Sequence, residues 1–240
     1  ERIQNYLHAM DTFMADNFEV SVKLDGSSMT VYHVNKDSPL FEKLLAETEE
    51  RELRKMPWYG RLIHRFKKFA GFYNKPDFIQ GVCSRNIQLD TNGDNHFSKF
   101  VKDNGILESL KLYDQTIAIQ GELIGPAIQE NYEKVEKNEF YVYDVFNINK
   151  QEYMLPSDSQ ATTAHLSLNY VPVLFSDFKL KSLSGLTPDE KDARVIMDAI
   201  LKFAEGAGLR ANVKREGLVF KSNTGPHSFK AISNSYLLHK

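Results

Sequence analysis

Lys23 and Asp25 stand two residues apart in SVKLDGSS, residues 21–28, and set a primary amine beside a carboxylate. A deprotonated lysine is a nucleophile able to form covalent intermediates, so the pair is a candidate reaction centre. It is equally a candidate turn. Val20, Val22 and Leu24 alternate with polar neighbours, and Met29 and Val31 resume the pattern. Asp25-Gly26 between two such runs signals a β-hairpin with Lys23 pointing to water. Residues elsewhere must decide. Four further stretches hold candidate polar groups: CSRN (83–86), IQGELIGPAIQEN (119–131), EFYVYDVFNI (139–148), and REGLVFK (215–221) with SFKAISNSYL (228–237). Each has an ordinary explanation alone: a solvated glutamate, an aromatic core strand, a lysine near the end of the chain.

The elements that must position these residues are mostly strands. Alternation predicts them over 18–34, 79–89, 115–124, 139–148 and 213–221, with a further apolar run at YVPVLF (170–175). The clearest helix opens in LTPDEKDARVIMDAILKFAEGAG. There Thr187 suits the cap, Pro188 the first helical position, Glu190 a capping box and Gly206 the stop. Weaker periodicity predicts helices over 2–14 and 96–110. The expected class is α+β, two mostly antiparallel sheets with flanking helices.

Residues 35–78 interrupt this pattern and predict two helices broken at MPWYG. Between Arg51 and Lys68 there are seven basic residues (Arg51, Arg54, Lys55, Arg61, Arg65, Lys67, Lys68) against one acid, Glu52, with Trp58, Tyr59, Phe66 and Phe69 interleaved. Two readings stand open. A basic, aromatic helical pair can grip a phosphate backbone, or an amphipathic hairpin packs Leu62, Phe66 and Phe69 inward and solvates its charges.

A chain of 240 residues can bury one sizeable core, and 42% hydrophobic with 26% charged residues is ordinary for a soluble protein. The formal charge of −2 points to no particular partner. A single cysteine, Cys83, excludes an internal disulfide and a cysteine-based zinc site. No apolar run reaches the length of a membrane span, and ERIQNYLHAM lacks the layout of a signal peptide. The expectation is a soluble intracellular monomer with no membrane partner. Because the sequence opens inside a predicted helix without an initiator Met, a preceding segment is also expected.

Taken together and in order, the quoted stretches resemble the covalent nucleotidyltransferases: ATP-dependent RNA ligases, DNA ligases and messenger-RNA capping enzymes. KLDGSS is similar to motif I, SRN to motif Ia, GELIGP to motif III, FYVYDVF to motif IIIa, EGLVFK to motif IV and SFKAISN to motif V. The resemblance runs from Arg2 to Leu238. A lone Lys-x-Asp-Gly is a weak signal, whereas six blocks in the right order are specific. Within the superfamily, CSRN, GELIGPAIQEN and FKAISNSYLL are most similar to RNA ligases.

The resemblance implies the nucleotidyltransferase fold of ligases and capping enzymes, related to ATP-grasp, with the sheets enclosing a nucleotide cleft. It implies that Lys23 takes AMP from ATP as a lysyl-AMP. Asp25 alone would favour the unreactive ammonium. A hydrated Mg²⁺ or Mn²⁺ reverses the sign of that field, and the resemblance assigns Asp25, Glu122 and Glu216 to it through metal-bound waters. Lys221 and Lys230 are expected to stabilise the α-phosphate and the departing pyrophosphate. Arg2 matches a phosphate-binding arginine, Tyr143 an adenine-stacking aromatic, and Glu122 a ribose contact. Arg85 is expected near the sugar and the acceptor RNA, and Val22 is expected to offer backbone groups to adenine. Many RNA ligases carry a second motif V lysine where this chain has Ile232, and the insert at 35–78 is a further departure.

Ten residues follow Lys230, so an oligonucleotide-binding barrel of the kind found after motif V in capping enzymes is expected upstream or not at all. That favours an RNA ligase acting on 3′-hydroxyl and 5′-phosphate ends. A DNA ligase, a capping guanylyltransferase and, more remotely, a non-catalytic RNA-binding module stay open as alternatives. The expected organisation is one nucleotidyltransferase domain, 1–240, carrying a helical basic insert at 35–78.

Overall fold

The computed structural model describes residues 1–126, 128–187 and 189–239. A 3₁₀ turn, Ile3–Ala9, leads into α1 (Met10–Ala15), β1 (Phe18–Lys23) and β2 (Ser27–Asn35). Two helices follow, α2 (Phe41–Lys55) and α3 (Trp58–Phe69), then β3 (Phe78–Ser84) and β4 (Gln88–Leu89). Next come α4 (His96–Asp103), α5 (Ile106–Tyr113), β5 (Ile117–Ile124), β6 (Glu139–Asn147), β7 (Glu152–Tyr153) and α6 (Pro156–His165). The chain continues through β8 (Asn169–Tyr170), β9 (Val173–Phe178), α7 (Ala193–Phe203), β10 (Gly217–Ser222), β11 (Ser228–Ile232) and α8 (Asn234–Leu237). The class is α+β, as expected from the alternation.

β1 and β2 do not pair, which corrects the expected hairpin. β1 lies in a four-stranded sheet ordered β11-β10-β1-β9, whereas β2 lies in a larger sheet ordered β4-β3-β2-β5-β6-β7, with β8 attached to β6. Leu24, Asp25 and Gly26 carry the chain from one sheet to the other. Each strand finds better partners far away in sequence: β1 aligns Lys23 with Gly217 on β10, and β2 aligns Ser28 with Glu122 on β5. Gly26 is required by a close approach, since a Cβ there would lie 2.4 Å from the Leu123 carbonyl oxygen.

Each sheet has its own core. Phe18, Val20, Leu218, Phe220 and Phe229 pack with Ile196 and Ile200 of α7 and with Phe13 of α1. Met29, Val31, Val82, Ile119 and Val145 pack with Ile106 and Leu110 of α5. A third cluster, Val22, Leu24, Ile124, Val135 and Val171, occupies the junction between the sheets.

Three helix expectations change. α7 starts at Ala193, where the Asp192 side chain accepts the Arg194 N–H at 2.9 Å. The Glu190 carboxylate instead binds the N–H groups of Lys191 and Asp192, a local bond that competes with helix. Pro188, expected at the first helical position, lies outside the described residues. The 96–110 helix is broken at Gly105, whose φ of +62° is left-handed. Residues 2–14 begin as 3₁₀ before becoming α1.

The two helices expected between 35 and 78 are present, but Leu62, Phe66 and Phe69 point outward and α3 buries none of its residues. The inward-packed reading is overturned. α2 supplies the contact with the sheet through Phe41 and Leu45, which meet Val34 and Ile79.

Candidate active site

Period-two geometry directs Glu19, Ser21 and Lys23 to one face of β1, toward the larger sheet, while Phe18 and Val20 enter the core. The residue opposite Lys23 is Gly217, which has no side chain to compete for the space above the strand. Gly217 also sits against β11, where a Cβ would lie 2.1 Å from the Ala231 carbonyl oxygen. Its neighbour Glu216, buried at the start of β10, accepts the Lys23 ammonium at 2.7 Å.

Asp25 is fixed on two sides. Tyr236 donates its hydroxyl to Asp25 Oδ2 at 2.9 Å, and the Asp25 N–H donates to Glu133 Oε1 at 3.4 Å. Glu133 is fully buried. Burial first, then Asp25 and Glu216, push the Glu133 carboxyl up. Glu122 lies opposite Ser28 on one side and Tyr141 on the other. Burial pushes its carboxyl up to about 7, the Glu216 and Asp25 charges add to the rise, and Lys23 opposes it. Asp25, Glu122 and Glu216 therefore share one electrostatic neighbourhood.

A second pole is cationic. Burial lowers the Lys230 ammonium from its ordinary range, and Lys23, Arg2 and Arg85 lower it further, with Glu216 opposing. Arg2 reaches Lys230 through an isolated parallel bridge, and the Lys230 N–H donates to the Glu1 carbonyl at 2.9 Å. Lys221 is held apart from this group. Its ammonium donates to Asp144 Oδ1 at 2.7 Å and to the Tyr143 carbonyl, 5.7 Å from the centre of the Tyr143 ring.

Tyr143 owes its position to a β-bulge. Gln120 pairs with Asp144 and Gly121 with Val142, so Tyr143 has no opposite residue on β5; bulges of this kind re-aim side chains next to functional sites. Its hydroxyl meets Ser28 Oγ at 2.8 Å, and burial is the main cause that holds the phenol up at about 12. Val22 is buried, and its N–H is already given to the Pro172 carbonyl at 2.8 Å.

The expected residues thus gather where the two sheets face each other, with Lys221 turned to Asp144 and Arg85 exposed at the end of β3. Sequence reasoning passed over the residues that hold them: Glu133, Asp144, Tyr236 and Glu19. Glu19 is buried and accepts from Tyr170 at 3.0 Å and from Gln160 at 2.5 Å. The Tyr170 hydroxyl also reaches the Tyr143 carbonyl at 3.4 Å, the same oxygen that receives Lys221. Asp144 and Tyr236 stood inside the quoted motifs; Glu133 and Glu19 carried no signal.

The donor set is all oxygen, which suits a hard divalent cation. Among the described residues no three His, Cys, Asp or Glu side chains form a direct ligand cage. A cation here would be met through its own waters, the mode that Mg²⁺ favours.

Comparison with known proteins places the chain in a family. The sequence profile of the family described as RNA ligase matches residues 16–232. The chain belongs to the RNA ligase family. No curated protein matches it. Solved structures of a Naegleria gruberi RNA ligase are similar: a mutant with ATP and Mn at 33% identity and a TM-score of 0.72, a mutant with AMP and Mn at 33% and 0.72, and the ligase with PPi at 32% and 0.71. In each case the match covers 100% of this chain and 56% of the other. The chain therefore spans little more than half the length of these RNA ligases.

Proposed function

We propose that this chain is the nucleotidyltransferase unit of an ATP-dependent RNA ligase, with residues 35–78 as an insert. One observation carries the proposal: a cationic pole (Lys23, Lys230, Arg2, Arg85) adjoins an acidic pole (Asp25, Glu122, Glu216) beside a bulge that presents Tyr143. Such a pair of poles is complementary to a polyphosphate that carries a divalent cation. The similarity to a ligase solved with ATP, AMP, PPi and Mn supports the same reading.

Lys23 is the nucleophile. In the resting arrangement its ammonium is paired with Glu216, so reaction needs that proton to leave, and Glu216 Oε2 is the base within reach. The amine then bonds to the α-phosphorus while the bond to the bridging oxygen breaks and pyrophosphate departs. Lys230 and Arg2 hold the phosphates, and Tyr143 offers a ring face to adenine. Asp25, Glu122 and Glu216 would hold a hydrated Mg²⁺ or Mn²⁺, which would offset their crowded negative charge and favour the neutral amine of Lys23. AMP next passes from Lys23 to an RNA 5′-phosphate, and a 3′-hydroxyl attacks that end and expels AMP. An oligonucleotide-binding module in a longer protein would extend the grip on RNA.

The test is covalent labelling. With α-labelled ATP and Mg²⁺ the wild type should carry the label and Lys23→Ala should not, and the labelled enzyme should seal RNA ends bearing 3′-hydroxyl and 5′-phosphate. A wild type that never labels overturns the enzyme reading. Labelling by GTP instead of ATP would redirect it to a capping guanylyltransferase, and sealing confined to DNA would redirect it to a DNA ligase.

A further inference from the structure

α3 wears its amphipathicity inside out. At about 100° per residue, Trp58, Tyr59, Leu62, Ile63, Phe66 and Phe69 share one arc of roughly 140°, and Gly60, Arg61, His64, Arg65, Lys67 and Lys68 share the other. In an ordinary surface helix the apolar arc would face the core. Here those six apolar side chains are 53% to 92% exposed, and Phe72 just past the helix is 75% exposed. The polar arc is the one that meets the protein. Lys68 pairs with Glu49 of α2 at 2.7 Å, and His64 packs edge-on against Tyr73, with its Nε2 buried.

An outward apolar face this continuous needs a partner, because water around it costs free energy in proportion to its area. Charge indicates which partner. From residue 53 to residue 76 there is no Asp or Glu, but there are seven Lys and Arg. Lys68, Lys75, Lys55 and Arg54 are paired with glutamates of α2. Among the described residues, Arg61, Arg65 and Lys67 make no ion pair. They flank the apolar arc, Lys67 on one edge and Arg65 with Arg61 on the other. A flat surface that is apolar below and anionic at its rim satisfies both edges at once.

We propose that α3 is an interfacial helix that seats this chain on an anionic lipid surface. Its aromatic and aliphatic side chains enter the boundary between headgroups and acyl chains, and the basic edges meet the headgroups. Long basic side chains can lie along apolar surface while keeping their charge in the polar layer. RNA fits less well. Nucleic-acid interfaces are polar and strongly positive at their centre, whereas the centre of this face holds Leu62 and Phe66, and its charges lie at the edges. This departs from the sequence expectation of no membrane partner, which rested on the lack of a long apolar run; among the described residues no helix is long and apolar enough to cross a membrane. A helix lying in the interface needs no such length.

The chain supplies its own probe, since Trp58 is its one tryptophan. Vesicles of phosphatidylcholine and phosphatidylglycerol in equal parts should blue-shift Trp58 emission and sediment the protein. Phosphatidylcholine alone should do so weakly, and salt should reduce the anionic binding. Leu62→Glu with Phe66→Glu should weaken vesicle binding at least roughly tenfold while labelling of Lys23 by ATP persists. Arg61→Gln, Arg65→Gln and Lys67→Gln together should erase the preference for anionic vesicles. The proposal is overturned by emission that no vesicle shifts. It is also overturned by a shift on adding RNA without lipid, which would make α3 a nucleic-acid surface, or by one that grows with protein concentration alone, which would make it a contact between copies.

Discussion

Glu122 couples the cleft to pH. Burial, with help from Glu216 and Asp25, holds its carboxyl at about 7 against an ordinary 4.5. A carboxyl raised in the folded state takes up a proton on folding between these values. Its favourable contribution is complete below the unfolded value and is lost as pH rises through about 7. Glu122→Gln does not titrate, so it should gain on the wild type as pH is raised from about 5 to about 8, by on the order of 2–3 kcal/mol. Denaturant melts of both proteins at the two pH values check this; an unchanged difference would show that Glu122 is not held as a buried, crowded charge. Mg²⁺ at the higher pH should narrow the gap, because it stabilises the wild-type carboxylates and has less to bind in the variant. At this scale the sequence was informative where a motif named a residue and silent where packing did. Alternation along β1 marks Glu19 as a solvent-facing residue, yet α6 and β8 cover it through Gln160 and Tyr170.

β10 and β11 show why the motif residues need their particular elements. Gly217 stands between Lys23 on one neighbour and Ile232 on the other, and a Cβ there would overlap Ala231 O and crowd Ile232 Cα. Gly217→Ala should force β11 away from β10 and cost about 1–3 kcal/mol. Because Glu216 immediately precedes β10 and Lys230 lies on β11, labelling of Lys23 should fall by more than the unfolded fraction explains. Calorimetry alongside labelling, at a temperature where the variant is folded, separates the two effects, and full labelling there would show that the strand spacing does not set the site. The longer strands were legible because period-two alternation survives wherever one face is buried, whereas β7 and β11 are too short to show it. Pairing was not legible. Asp25-Gly26 carries the same local signal whether the chain folds back or crosses to another sheet, and only the distant partners of β1 and β2 distinguish the outcomes. The outward face of α3 was illegible for a related reason: periodicity reports that a helix has an apolar face, not which way it points.

The two sheets contribute unequally to the cleft, and that division predicts how the whole molecule responds to nucleotide. Lys23, Glu216, Lys221 and Lys230 belong to the four-stranded sheet and its borders, whereas Glu122, Tyr143 and Arg85 belong to the larger one or its edge. Each sheet closes its own core, and the junction cluster of Val22, Leu24, Ile124, Val135 and Val171 is small. A ligand whose phosphates engage one sheet while its base and sugar engage the other acts as a cross-link. It stabilises the folded state by RT ln(1 + [L]/Kd), about 2.7 kcal/mol at a hundredfold excess over Kd. A non-hydrolysable ATP analogue with Mg²⁺ should therefore slow amide exchange in β1, β10 and β11 and in β5 and β6 together, with α3 unaffected. Pyrophosphate lacks base and sugar, so its protection should concentrate on the strands bearing Lys23 and Lys230. Lys23→Ala should keep the response to the analogue, because it removes the proposed nucleophile and leaves Glu122, Tyr143 and Lys230 in place. Protection confined to one sheet by the full nucleotide would mean that Tyr143 and Glu122 do not face the ligand held by Lys230, and the cleft would have to be redrawn around the four-stranded sheet alone.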